Sequence, residues 1–205
     1  MPPTWKDYSL VPLLQCFLLS VCRCLTNNAS NRESFTEPPG YNPERWQLLR
    51  NYMKEVVDPK KAKLTDFMIV SDMPNAKTDI NNHGPISTDM IGGSWNYPEG
   101  TYPEQKAIYE AHKQYTWEFF WFLQTDASVP PQVQQAMKSY GLSKDEFMDT
   151  GGWPFQVYVR EGRRMVGDFV FNQNDRMVNK SKADTIGLGS YNQDTHHVIR
   201  FAQSA

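Results

Sequence analysis

The sequence predicts an α+β fold, with helices mainly in residues 43–150 and mixed or antiparallel strands mainly in 155–200. Two observations carry this. Between Pro43 and Tyr140 apolar residues recur at helical spacing behind clear start signals. From Phe155 the pattern changes to alternation, with Phe155, Val157 and Val159 on one side, then Met165, Gly167, Phe169 and Phe171. That period of two fits strands flanking Glu161–Gly162.

The elements follow in order. Asn42 before Pro43 is an N-cap with proline at the first helical position. The helix runs to about Val57, with Trp46, Leu49, Tyr52, Met53 and Val56 on one face, and Pro59 ends it. Residues 60–100 read as irregular apart from a strand-like L-T-D-F-M-I-V at 64–70. A stretch of that kind usually forms a functional loop or an interface. Thr101-x-x-Glu104 is a capping box opening the longest helix, 102–125. Ile108, Ala111, Tyr115, Phe119 and Phe122 set its period, and Trp117, Phe120 and Trp121 widen the apolar surface, so it should be central and buried. His112 lies on the apolar stripe and reads as a satisfied core histidine more readily than a catalytic one. Pro130 starts a short helix to Tyr140, stopped by Gly141, and Ser143-x-x-Glu146 caps a third. Gly151-Gly152-Trp153-Pro154 turns the chain sharply and plants a tryptophan. Asn172 to Val178 suggests a turn-helix, and Thr185 to Tyr191 another strand.

With 205 residues the chain is long enough to bury a real core. Lys plus Arg total 21 against 23 Asp plus Glu, a net charge of −2, which argues against a dedicated nucleic-acid or membrane-surface protein. No segment has the roughly eighteen apolar residues needed to span a bilayer. The run Val11 to Val21 has the length of a signal-peptide core, but weak flanking charge makes a strand an equal reading, and the balance favours a cytoplasmic over a secreted protein. The sequons at Asn28 and Asn179 matter only in the secreted case. Cys16, Cys22 and Cys24 match neither a zinc nor a ferredoxin spacing, which makes a 4Fe-4S cluster a poor expectation and buried thiols a better one.

Two clusters carry potential chemistry. Arg160, Arg163 and Arg164 lie beside Glu161 and Asp168, and guanidinium groups so gathered suit an anionic substrate group. Structural pairing with Glu161, Asp168 or Asp184 is the alternative. If the alternation holds, Arg160 and Arg164 share a face and Arg163 points the other way. The second cluster is Asp194-x-His196-His197-x-x-Arg200, where an imidazole can move a proton near neutral pH and a carboxylate can set its tautomer. A polar loop packing on other domains is the alternative there. Asn82 and His83, in the irregular region, could hydrogen-bond a polar ligand, although a turn is the simpler role for the Asn pair. Two vicinal histidines lack a third ligand, so no metal site is expected. No G-x-S-x-G or H-E-x-x-H supports a hydrolase.

Several blocks together resemble one family. They are C-L-T-N-N at 24–28, P-P-G-Y-N-P-E-R-W at 38–46, K-T-D-I-N-N-H-G-P-I-S-T-D at 77–89 and K-D-E-F-M-D-T-G-G-W-P at 144–154. R-E-G-R-R-M-V-G-D-F-V from Arg160 and D-T-I-G-L-G-S-Y-N-Q-D-T-H-H-V-I-R to Arg200 complete the set. In this order they resemble FAD-dependent oxidoreductases often described as xanthan-lyase-like flavoproteins, distantly related to heterodisulfide reductase A subunits. The resemblance covers about Cys24 to Arg200, with residues 1–23 poorly matched.

The resemblance implies FAD as cofactor and a substrate-side domain over 24–205 that closes over a flavin held elsewhere. No G-x-G-x-x-G unit occurs, so the expectation is an internal portion of the parent enzyme, inactive alone. Its implied partners are the missing FAD-binding domain or a full-length homologue, and a small-molecule substrate. In that setting His196, Arg160 and Arg164 are the catalytic candidates: the guanidiniums neutralise a substrate carboxylate or charge on the reduced flavin, and His196 transfers the proton. Arg163, Asn82, His83, Asp194, His197 and Arg200 would lie near substrate or flavin. The rival expectation is a non-enzymatic truncated module that binds a protein partner or a polysaccharide.

Overall fold

The computed structural model describes residues 19–20, 23–155, 157–159, 169, 174–175, 186–187 and 189. The chain divides into two compact units, Phe17–Gly162 and Met1–Cys16 with Arg163–Ala205. In the second unit Asn174 and Asp175 have helical backbone, within the span read as a turn-helix.

The first unit is α+β. Its main sheet has five strands, β2 (Arg23–Thr26), β3 (Arg32–Glu33), β4 (Met68–Met73), β5 (Lys77–Asn82) and β6 (Gly141–Ser143), in the order β3-β6-β2-β5-β4. Every neighbouring pair in it is antiparallel. A separate pair joins β1 (Leu19–Ser20) to β7 (Tyr158–Val159).

Among the described strands, β7 lies in the alternating segment, β4 overlaps the strand-like 64–70 and β1 lies in the Val11–Val21 run, whereas β3, β5 and β6 form where no strand was expected. The main sheet ends at Ser143, before the alternating segment begins, and the 60–100 region contains a β-hairpin. Leu64–Asp66 is a 3-10 turn, and the strand starts only at Met68. β5 reads K-T-D-I-N-N, which carries no apolar alternation; Thr78 and Ile80 face the core while the rest of its face is polar. Pairing on both sides, to β2 and β4, holds this segment extended despite its two asparagines. The helix expected behind Ser143 does not form, because Ser143, the end of β6, pairs with Arg32 of β3 and a short 3-10 turn, Met148–Thr150, follows. The strands expected at 165–171 and 185–191 lie outside the described residues, apart from Phe169, Ile186, Gly187 and Gly189.

The helices match their signals closely. Asn42 caps as its position suggests, its side-chain oxygen accepting from the Glu44 amide at 3.0 Å. The chain opens as a 3-10 turn, Pro43–Trp46, and continues as α1 (Gln47–Glu55). Trp46, Leu49 and Met53 are buried, and Val56 is exposed. The long helix α2 spans Tyr102–Thr125, with Glu104 accepting from both the amide and the hydroxyl of Thr101 at 2.7 Å. His112 is buried, and its Nδ1 donates to the Ile108 carbonyl at 2.7 Å. α3 (Pro131–Lys138) buries Val133 and Met137. Gly151 and Gly152 take φ of 68° and 79°, which a Cβ would resist, and the turn delivers Trp153 into the core against Trp117.

One apolar cluster joins Leu25, Met68, Ile80 and Leu142 of the sheet to residues of all three helices. α1 is fastened to the end of α2 by Arg50, whose Nε and Nη2 donate to Asp126 Oδ2 at 3.0 and 2.8 Å. Burial pushes the Asp126 carboxyl up, but hydrogen bonds from Arg50 and Ser128 outweigh it and hold the group below its ordinary value. This contribution is full above the ordinary value of 3.8 and disappears as pH falls through the lowered one. Arg50→Met should cost about 2 kcal/mol at pH 7 in urea denaturation. The gap between variant and parent should close as the solution is acidified through the Asp126 titration.

Candidate functional site

The hairpin β4–β5 hands the chain at Asn82 to a loop whose path is fixed by three contacts. Gly84 takes φ +85°, and a Cβ there would meet the Asp66 carbonyl oxygen at 2.9 Å. Ser87 Oγ donates to the Phe67 carbonyl and accepts from the His83 amide at 3.0 Å. Tyr115, on α2, donates its hydroxyl to the Ser87 carbonyl at 2.9 Å. Ser87, Thr88 and Asp89 are consequently buried although they belong to a loop.

This loop forms one wall of a cavity of about 310 Å³. Pro85, Ile86 and Asp89 come from the 77–89 block, Arg45 and Trp46 from the 38–46 block, and Tyr115 from α2. Two of the sequence blocks thus meet across the cavity. Leu48, Leu49, Met90 and Ile91 make the remaining wall apolar. Trp46 is only 3 % exposed, its ring centred 5.1 Å from Tyr115 and 5.7 Å from both Phe119 and Phe122.

Arg45 is the half-exposed charge of this wall. Its Nη1 donates to Glu118 Oε1 at 2.9 Å, and the two side chains are 46 % and 1 % exposed. Gln114 donates to the same oxygen at 3.0 Å and to the Pro39 carbonyl at 2.9 Å, tying α2 to the 38–46 block again. In that block Tyr41 has its phenol pushed up to about 12 by burial and the nearby Asp126, so it stays protonated.

A second cavity of about 410 Å³ lies beside Cys24, Lys77, Glu146 and Phe147. Burial raises the Cys24 thiol, which is a free cysteine 3.8 Å from Ser143 Oγ. Lys77 donates to Asp145 at 2.8 Å and to Glu146, and those hydrogen bonds raise its ammonium. A protonated thiol and a lysine held by two carboxylates supply neither nucleophile nor base. These contacts do bring the 77–89 and 144–154 blocks together, as β2 brings 24–28 against β5.

Of the residues singled out in sequence, Asn82 ends β5, its amide donating to Asn81 Oδ1 at 2.8 Å. His83 is exposed, with Nδ1 donating to the Thr65 carbonyl at 2.7 Å. Neither lines the two cavities. Arg160, Arg163, Arg164, Asp194, His196, His197 and Arg200 lie outside the described residues, as do Cys16 and Cys22. Among the described residues no group of three or more His, Cys, Asp or Glu is placed to hold a metal ion. No helix among them is long and apolar enough to cross a membrane. Sequence reasoning passed over Arg45, Asp89 and Tyr115: the first two stand inside quoted blocks, but no spacing says that the blocks touch.

A family model described as FAD dependent oxidoreductase matches residues 14–204. The chain belongs to the FAD-dependent oxidoreductase family. No curated protein and no solved structure matches it. The family implies FAD, yet the described residues of this oxidoreductase-family chain do not fit that dinucleotide. Their main sheet is antiparallel throughout, with no strand leading through a glycine-rich turn to a helix N-terminus. The start of α2 is instead occupied by the Glu104 carboxylate. The Arg45 cavity lies at the small end of ligand pockets, which run from about 300 to 1,000 Å³. Its walls offer shape, apolar surface and one cation, the means to bind rather than to react.

The Ser87 clasp is directly testable. Ser87→Ala leaves the Phe67 carbonyl and His83 amide without their partner and should cost about 1–3 kcal/mol. Hydrogen–deuterium exchange should show the His83 amide losing protection ahead of the sheet amides.

Proposed function

We propose that this chain forms the substrate-side portion of an FAD-dependent oxidoreductase and supplies pocket residues for a flavin-mediated hydride transfer. The observation that carries the reading is the meeting of the 38–46 and 77–89 blocks, 30 residues apart in sequence, around one apolar cavity walled by α2. A flavin, when bound, supplies the redox chemistry, and the protein's share is binding, orientation and charge. The cavity around Trp46 and Tyr115 receives part of the substrate. Arg160 and Arg164 act as the electrostatic clamp, and His196 holds the proton that accompanies the transfer. Arg163, Asp194, His197 and Arg200, and separately Asn82 and His83, are assigned to contact with substrate or flavin. The dinucleotide cradle comes from a glycine-rich FAD-binding domain, in the same polypeptide or in a full-length homologue.

The test begins with the 205-residue chain. FAD added to it should separate during gel filtration, and should co-elute once a glycine-rich FAD-binding domain of the family is supplied. Yellow colour retained by the chain alone would contradict the reading. In the reconstituted complex, Arg164→Ala and His196→Ala should each slow flavin reduction by on the order of 10²-fold. Unchanged reduction in both would remove the assigned roles.

A further inference from the structure

We propose that the Arg45 cavity is a binding site for a flat aromatic carboxylate. This rests on the reading above and names the substrate class that the pocket takes. Most of its lining is apolar or aromatic, which favours a planar hydrocarbon body over a sugar or a peptide. Two charged residues reach it, Arg45 and Asp89. Asp89 is buried, 7 % exposed, and offers little surface to a ligand. Arg45 is half-exposed, and among the described residues its one hydrogen bond is from Nη1 to Glu118. The guanidinium fork therefore keeps Nε and Nη2 for a ligand.

Glu118 decides how that fork is used. A buried carboxylate that accepts from both Arg45 and Gln114 fixes the guanidinium plane at the cavity wall instead of leaving it to sweep solvent. A planar, bidentate donor set at the edge of an apolar cavity lined by Trp46 and Tyr115 matches a carboxylate attached to an aromatic body. Glu118 is thus a positioning residue, acting on the ligand only through Arg45.

Isothermal titration calorimetry of the whole chain tests this with 2-naphthoate and its cationic isostere 2-naphthylmethylamine, with no flavin present. Naphthoate should bind at one saturable site, and the amine on the order of tenfold or more weaker. Arg45→Met should weaken naphthoate by a similar factor. Because that change strands the Glu118 charge, the double variant Arg45→Met/Glu118→Gln provides a folded counterpart and should lose the same affinity. Ile91→Trp, on the exposed rim, should fill the cavity and abolish binding without unfolding the chain. Absence of naphthoate binding, equal binding of the amine, or undiminished affinity in the double variant overturns the proposal. Any of these results would leave the flavin-retention experiment untouched, so the two readings fail separately.

Discussion

The packing of the Trp46 indole against the aromatic side of α2 is the constraint from which the candidate site follows. Tyr115, Phe119 and Phe122 recur along the helix at spacings of four and three, so their rings form one surface. Trp46 lies against all three rings and is nearly fully buried. A residue at the last position of a capped 3-10 turn can be aimed this way because Asn42 and Pro43 fix where that turn begins. Once the indole is placed, its neighbour Arg45 is delivered to Glu118, and Leu48 and Leu49 reach the cavity wall.

Polar contacts then give the apolar assembly one geometry. Arg50–Asp126 and Arg45–Glu118 bridge the α1 segment to α2 at separate points along the long helix, and Gln114 adds a third tie through Pro39. The Ser87 clasp and the Tyr115 hydroxyl do the same for the loop opposite. Tyr115 belongs to both sets, packing its ring on Trp46 and holding Ser87. The cavity is therefore walled by one loop and by the 3-10 turn and start of α1, both held to α2, which leaves it preformed rather than dependent on loop closure.

Much of this was legible in the residues, and the failures have physical causes. α2 was readable to its ends because a capping box, a strong period and a polar stop agree. The Asn42 cap and the Gly151–Gly152 turn were readable for the same reason: each needs one particular local chemistry. The sheet was not. β3 has two residues and β6 three, too few for a period, and β5 is polar on much of its surface because it is extended by pairing rather than by burial. Ser143-x-x-Glu146 has the letters of a helix start, but Ser143 is claimed by β3 and Glu146 by Lys77. The cavity was hidden for a different reason. Its residues stand in blocks that were visible, while their adjacency comes from the tertiary packing of Trp46 and Tyr115, which no local pattern encodes.

The most direct measurement of this account is the stability of Trp46→Ala by urea denaturation. Removing an indole packed on three rings should cost about 3–5 kcal/mol. The loss should far exceed that of an exposed α1 neighbour such as Leu48→Ala. A Trp46→Ala variant within about 0.5 kcal/mol of the parent, the range of an ordinary surface substitution, would contradict the claim that this contact organises the site.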